Sequence, residues 1–245
     1  MEATLSFHPD LEPFLDEGLI TGVHHAVKSG KEADVYLCDA GPSTGRELLA
    51  AKVYRVREHR NFEDDSVYRA GQVITKRRER TAVEKKTRFG RQLDHALWVD
   101  REREALLTLH AAGVDVPQPF GGSESAILMG YVGDEGGPAP QLRHVDLDAR
   151  EARELYERVV WNLETMLANN LVHGDLSPYN ILWWEGEITI IDLPQAVDPR
   201  RNPNAHELLV RDVRNVSAFF ARLGVRTNPE ALAHDLWMRF LFADL

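Results

Sequence analysis

The sequence of 245 residues predicts an α+β protein with a β-rich N-terminal lobe and a helical C-terminal lobe. Three observations carry this. Short apolar runs bounded by turn residues, within 33–37, 48–54 and 126–132, read as strands and crowd the first half. Longer stretches with apolar residues at helical spacing, 148–170, 204–224 and 229–245, fill the second half. Between them, 133–140 holds three glycines and two prolines, the composition of a hinge between lobes.

The totals bound the class. Apolar residues at 43% and charged residues at 28% describe a globular chain with enough length for a full core. Cys38 is the only cysteine, so no internal disulfide can form, which fits a cytoplasmic protein. The N-terminus lacks the basic-then-apolar pattern of a secretory leader, and no apolar run is long enough to span a bilayer, so no membrane association is expected. A net charge of −10 argues against a protein that coats nucleic acid.

In order, 1–28 reads as a helical lead-in: Pro9 can open a helix, Leu11, Phe14 and Leu15 recur at helical spacing, and Gly18 stops it. The N-terminal lobe then spans 29–132. Ser29-Gly-Lys-Glu-Ala-Asp-Val-Tyr-Leu37 is a loop running into a strand, where Gly30 permits close backbone approach, Ser29 and Lys31 offer donors, and Val35 can lie over a flat base. The strand 48–54 is interrupted by Lys52, whose ammonium needs an anion if buried: a nucleotide phosphate, a glutamate, or both. An insert over 55–97 follows. Its segment 76–91 has eight basic and two acidic residues, a local excess that suits either a solvated surface or a contact with RNA. The helix 98–113 places Leu106, Leu109 and Ala112 on one face, ends at Gly113, and offers Glu102 to Lys52, with Glu104 as the substitute. After the hinge at 133–140, the C-terminal lobe spans 141–245, opening with the helix 148–170 whose stripe is Leu155, Val159, Leu163, Met166 and Leu167.

The chemistry concentrates in His173-Gly-Asp-Leu-Ser-Pro-Tyr-Asn180 and the strand-like run ending at Asp192. Asp175, Asn180 and Asp192 supply a carboxylate to orient a hydroxyl, an amide for a magnesium ion and a second carboxylate for it. Phosphoryl transfer needs those parts. This spacing resembles the catalytic loop and metal-binding aspartate of protein-kinase-like enzymes.

The motifs together resemble the RIO family of atypical kinases, its first subfamily most of all. They are Ser-Gly-Lys-Glu-Ala-Asp-Val-Tyr36, Ala-Lys52-Val-Tyr, Trp98 with the following Arg-Glu, Pro-Ala-Pro140, His-Gly-Asp-Leu-Ser-Pro-Tyr-Asn180 and Ile-Ile-Asp192-Leu-Pro-Gln-Ala-Val. The resemblance implies a trimmed two-lobed protein-kinase-like fold that binds ATP and Mg²⁺ and acts as a serine/threonine kinase or an ATPase. Carried over, Lys52 would contact the α- and β-phosphates and pair with Glu102. Ser29, Gly30 and Lys31 would cover the phosphates, and Val35, Met129 and Tyr131 would line the adenine pocket. Asp175 would be catalytic, Asn180 and Asp192 would hold the metal, and Asp192 would be a candidate phosphate acceptor. A protein acceptor is the implied partner, and the basic run 76–91 adds a ribosomal or RNA contact as a second expectation.

Four positions depart from typical protein kinases. Gly174 stands where many carry an arginine that reads a phosphorylated loop, and Ser177 replaces a lysine near the transferred phosphate. Leu193-Pro194 replaces Phe-Gly after the metal-binding aspartate, and the fixed φ of Pro194 resists a flip there. Two other readings share the central loop: a small-molecule kinase of the aminoglycoside or choline type, and an ATP-gated module that grips RNA or protein through 76–91.

Overall fold

The computed structural model describes residues 8–55, 67–68, 81–83, 85 and 87–245. The chain divides into two compact units. Described residues up to 55, with 81–107 and 117–138, make the first; 67–68, 108–116 and 139–245 make the second. Seven of the sixteen residues in the basic run 76–91, Arg77, Arg78 and Arg80 among them, lie outside the described residues.

The first unit is a five-stranded antiparallel sheet in the order β1-β2-β3-β5-β4. Its strands are β1 (Ile20–Ser29), β2 (Ala33–Ala40), β3 (Leu48–Tyr54), β4 (Pro119–Gly122) and β5 (Ala126–Gly130). A 3-10 turn at Pro9–Leu11 and the short helix α1 (Glu12–Asp16) precede it. They bury Leu11 and Phe14 among Ile20, Val23, Cys38, Leu49, Val53 and Leu128. The helical lead-in expected over 1–28 is therefore corrected: among the described residues, helix ends at Asp16, and β1 begins at Ile20. The physical reason is that β1 pairs with β2 through three register shifts, at Ile20/Gly22, Val23/Ala26 and Ala26/Lys28. Each bulge inserts a residue and breaks the two-residue alternation by which a strand is recognised.

Helix α2 (Arg88–Ala111) also begins earlier than the sequence indicates, inside the expected insert 55–97. Gly90 disguises this start. A Cβ there would lie 2.0 Å from the Ala82 carbonyl oxygen, so the helix accepts a poor helix former to let two backbones meet. Gly113 ends the helix in a left-handed conformation, φ +82°. The hinge-like stretch forms a minimal hairpin, β6 (Gly133–Asp134) with β7 (Gly137–Pro138).

The second unit is mainly helical: α3 (Ala149–Ala168), α4 (Ala205–Arg222) and α5 (Pro229–Leu241), with the hairpin β8 (Ile181–Trp184) and β9 (Glu187–Ile190). Asp148 and Glu151 form a reciprocal capping box that starts α3. The stripe Leu155, Val159, Leu163, Met166 and Leu167 is buried, and Asn170 closes the helix at φ 58°. Glu185 and Gly186, both at positive φ, make the tight turn of the β8–β9 hairpin. Asp115, Arg158 and Asn162 brace this unit. Arg158 forks onto both Asp115 carboxylate oxygens at 2.6 and 2.7 Å, while buried Asn162 accepts from the Asp115 amide and donates to its carboxylate. The Asp115 carbonyl in turn accepts from the Ile190 amide, which ties the end of β9 to this brace. Among the described residues, no helix is long and apolar enough to cross a membrane.

Candidate functional site

The loop before β8 is held at both ends and in the middle. A bridge between Val172 and Val197 fixes its entry, with hydrogen bonds of 3.0 and 2.9 Å in the two directions. Buried His173 follows, its Nε2 at 3.2 Å from the Ile191 carbonyl and its Nδ1 accepting from the Asp175 amide. With the Asp175 amide donating to Nδ1, Nε2 is the ring nitrogen placed to donate to the Ile191 carbonyl. Asn180 closes the loop. Its side-chain amide donates to the Asp175 carbonyl at 2.9 Å, and its own carbonyl accepts from Ile191 at 2.9 Å. Asp192 is next in the chain, in the left-handed region at φ 70°, which Asp tolerates better than most side chains. Asp175, Asn180 and Asp192 are thus drawn together by the backbone around them.

The central support comes from α4. The Asp212 carboxylate is fully buried and accepts from the Gly174 amide at 2.7 Å and the Leu176 amide at 2.9 Å, one on each oxygen. These two amides flank Asp175. Asn215, one turn further on, donates to the Leu176 carbonyl. The neighbouring Arg211 donates to the Gly174 carbonyl and to the Tyr68 hydroxyl. Gly174 is required on two grounds: φ is +82°, and a Cβ would sit 2.7 Å from the Gln195 carbonyl oxygen. No arginine side chain fits at that position.

Charge at this loop is unbalanced. Burial pushes the Asp175 carboxyl above its ordinary range, Arg211 opposes the shift, and the like charge of Asp192 adds to it. Burial pushes Asp212 further, up to about 7, against the pull of the Gly174 and Leu176 amides. A cation beside Asp192 relieves the repulsion with Asp175, and with its N–H on Asp175, the Asn180 amide keeps its oxygen for such an ion. One carboxylate and one amide oxygen fit a hard divalent cation that draws its remaining ligands from water and phosphate. Among the described residues, no three His, Cys, Asp or Glu side chains gather into a self-sufficient metal site.

The other predicted residues lie in the first unit. Lys52 Nζ is 2.7 Å from Glu102 Oε1, with Glu102 only 4% exposed, and the Tyr54 hydroxyl donates to the other carboxylate oxygen. Glu104 is exposed. Val35 lies directly opposite Lys52 in the β2–β3 register. Met129 is near the end of β5, half-buried, and two residues on, the buried Tyr131 hydroxyl has no hydrogen-bond partner among the described residues. The turn 29–33 is partly self-satisfied. Gly30 donates to the Ala33 carbonyl, and Ser29 donates to Asp34, which Arg55 also grips. Lys31 is exposed on that turn.

Sequence reasoning missed Asp212, Arg211 and Tyr68. For Asp212 a signal existed: it lies three and four residues from Leu209 and Leu208 and beside Val213, so it falls on the apolar face of its helix. Nothing local marks Tyr68.

Comparisons with known proteins give the family. The family model described as the RIO domain matches residues 34–232. The RIO-type serine/threonine-protein kinase Rio1 of Thermoplasma acidophilum is 40% identical over 136 residues, which covers 56% of this chain and 70% of that protein. The serine/threonine-protein kinase RIO1 of Chaetomium thermophilum is 34% identical over 224 residues, covering 87% of this chain and 42% of that one. The human serine/threonine-protein kinase RIO1 is 32% identical over 217 residues, covering 86% and 35%. The chain thus spans less than half the length of these two eukaryotic relatives. With the match running through the loop, its α4 support and the strand that carries Lys52, the chain belongs to the RIO domain family.

Proposed function

We propose that the chain is an ATP- and Mg²⁺-dependent phosphotransferase of the RIO type, passing the γ-phosphate to a protein serine or threonine or to its own Asp192. The observation that carries this reading is the support of Asp175 by the two amide bonds to Asp212, beside Asn180 and Asp192. Asp175 is the group that orients the acceptor hydroxyl and takes its proton, and its raised affinity for protons suits that task. Asn180 and Asp192 hold the magnesium ion, which neutralises phosphate charge when bound. Lys52, kept extended by Glu102, contacts the α- and β-phosphates, with Ser29, Gly30 and Lys31 over them. Val35, Met129 and Tyr131 line the adenine pocket, where the Tyr131 hydroxyl, without a partner among the described residues, suits a nucleotide or water bond. The relatives named serine/threonine-protein kinases support a protein acceptor. The excess of basic residues in 76–91 supports a second contact, with RNA or a ribosomal surface. A chain with one cysteine suits the cytoplasm.

Single-turnover incubation with γ-labelled ATP and Mg²⁺ tests this, comparing wild type, Asp175→Ala and Asp192→Asn. Acid-stable label that disappears in Asp175→Ala identifies serine/threonine transfer. Label removed by hydroxylamine and absent from Asp192→Asn identifies an aspartyl phosphate and hence an ATPase cycle. Neither label nor ATP binding in the wild type overturns the enzyme reading.

A further inference from the structure

Beside Asp175, the second unit holds two residues from a distant part of the chain, Val67 and Tyr68. The Val67 carbonyl accepts from two side-chain amides, Asn202 at 2.8 Å and Asn204 at 3.3 Å. Asn202 is only 4% exposed, and its own oxygen accepts from the Asn204 amide at 2.9 Å, so its donor is aimed and fixed. One residue on, the Tyr68 hydroxyl accepts from Arg211 at 2.8 Å and lies 3.5 Å from the Gly174 carbonyl, directly before Asp175. The ring occupies the room that Gly174 leaves, since a Cβ there would touch Tyr68 at 3.4 Å. Val67 is 37% exposed. Main chain and hydroxyl make these contacts, and a peptide of varied sequence presents both.

We infer that Asn202, Asn204, Arg211 and the Gly174 carbonyl form a subsite for a hydroxyl-bearing peptide next to Asp175, which the chain fills with its own Val67 and Tyr68. The paired amides read a backbone carbonyl, and Arg211 with the Gly174 carbonyl offers one donor and one acceptor to a hydroxyl. A segment on the same chain competes at an effective concentration on the order of millimolar, enough to exclude a weakly held peptide. The segment thus restrains access to the phosphotransferase loop. The restraint rests on the proposed activity; the subsite does not.

The test uses a fluorescent peptide copying residues 62–73, titrated into the nucleotide-free full chain. Binding to Tyr68→Ala at least tenfold tighter than to wild type is expected, with Tyr68→Phe intermediate. In the Tyr68→Ala background, Asn202→Asp keeps the acceptor for Asn204 but loses the donor, and should weaken the peptide at least tenfold. Equal affinity for wild type and Tyr68→Ala, or indifference to Asn202→Asp, overturns the subsite. Transfer from γ-labelled ATP to added casein should rise severalfold in Tyr68→Phe. Peptide binding as expected with no transfer by any variant supports the subsite and sinks the phosphotransferase reading. Label found on Tyr68 itself overturns the restraint, since the segment is then a substrate.

Discussion

Asp212 shows how much one buried carboxyl controls. Its two oxygens carry the Gly174 and Leu176 amides, and burial pushes its pKa to about 7 against 3.8 for an ordinary aspartate. Between those values the folded chain holds a proton that the unfolded chain releases, so stability falls as pH rises through that window. The contribution is fully present below about pH 4 and lost above about pH 7. Urea denaturation of wild type and Asp212→Asn from pH 4 to pH 8 checks this: wild-type stability relative to the variant should decline with rising pH by a few kcal/mol, then level off. Lys52 and Glu102 are a different case. Removing one member of such a buried pair strands the other at about 3–5 kcal/mol, so their burial specifies geometry more than it adds stability. Lys52 was legible because a lysine in an apolar strand demands an anion. Asp212 was harder to read, since one acidic residue in a long amphipathic helix is common.

Elements whose period is intact were readable, and those with interrupted periods were not. Helix α3 has its capping box, its stripe and its Asn cap in register, and each marks the same boundaries. Strand β1 is broken by bulges and α2 by Gly90, so both starts were misread. The brace between α3, residue 115 and β9 has no sequence signature at all. Asn162 is fully buried and uses both ends of its amide, toward the Asp115 amide, the Asp115 carboxylate and the Arg158 carbonyl. Asn162→Ala leaves the Asp115 amide unpaired and should destabilise the fold by about 1–3 kcal/mol per lost partner. Thermal melts of the variant should show that drop, with Asn162→Asp no milder, because it sets a buried carboxylate against the Asp115 carboxylate and the Arg158 carbonyl.

At the scale of the molecule, the single cysteine is a built-in reporter. Cys38 is fully buried in the sheet of the first unit, and burial pushes its thiol up to about 12. Alkylation therefore has to wait for that core to open, because the thiolate is the reacting species. Iodoacetamide labelling in native buffer at pH 8 should run at least roughly a hundredfold slower than in urea, tracking the open population. Equal rates in the two conditions would show that the core around Leu49 and Val53 does not hold. The charge distribution belongs to this scale as well. A chain of net −10 disfavours general adhesion to nucleic acid, although 76–91 gathers eight basic residues against two acidic ones.

By itself the sequence determined the α+β class, the helical second half and the chemical alphabet of the loop from His173 to Asp192. Periodicity and short spacings encode those features within a few residues. Only the tertiary structure decided what surrounds Asp175. Asp212 meets the loop from 36 and 38 residues away, and Tyr68 meets Gly174 and Arg211 across 106 and 143. Contacts of that range leave no local period, because their partners are chosen by packing and by the need to satisfy buried amides and charges.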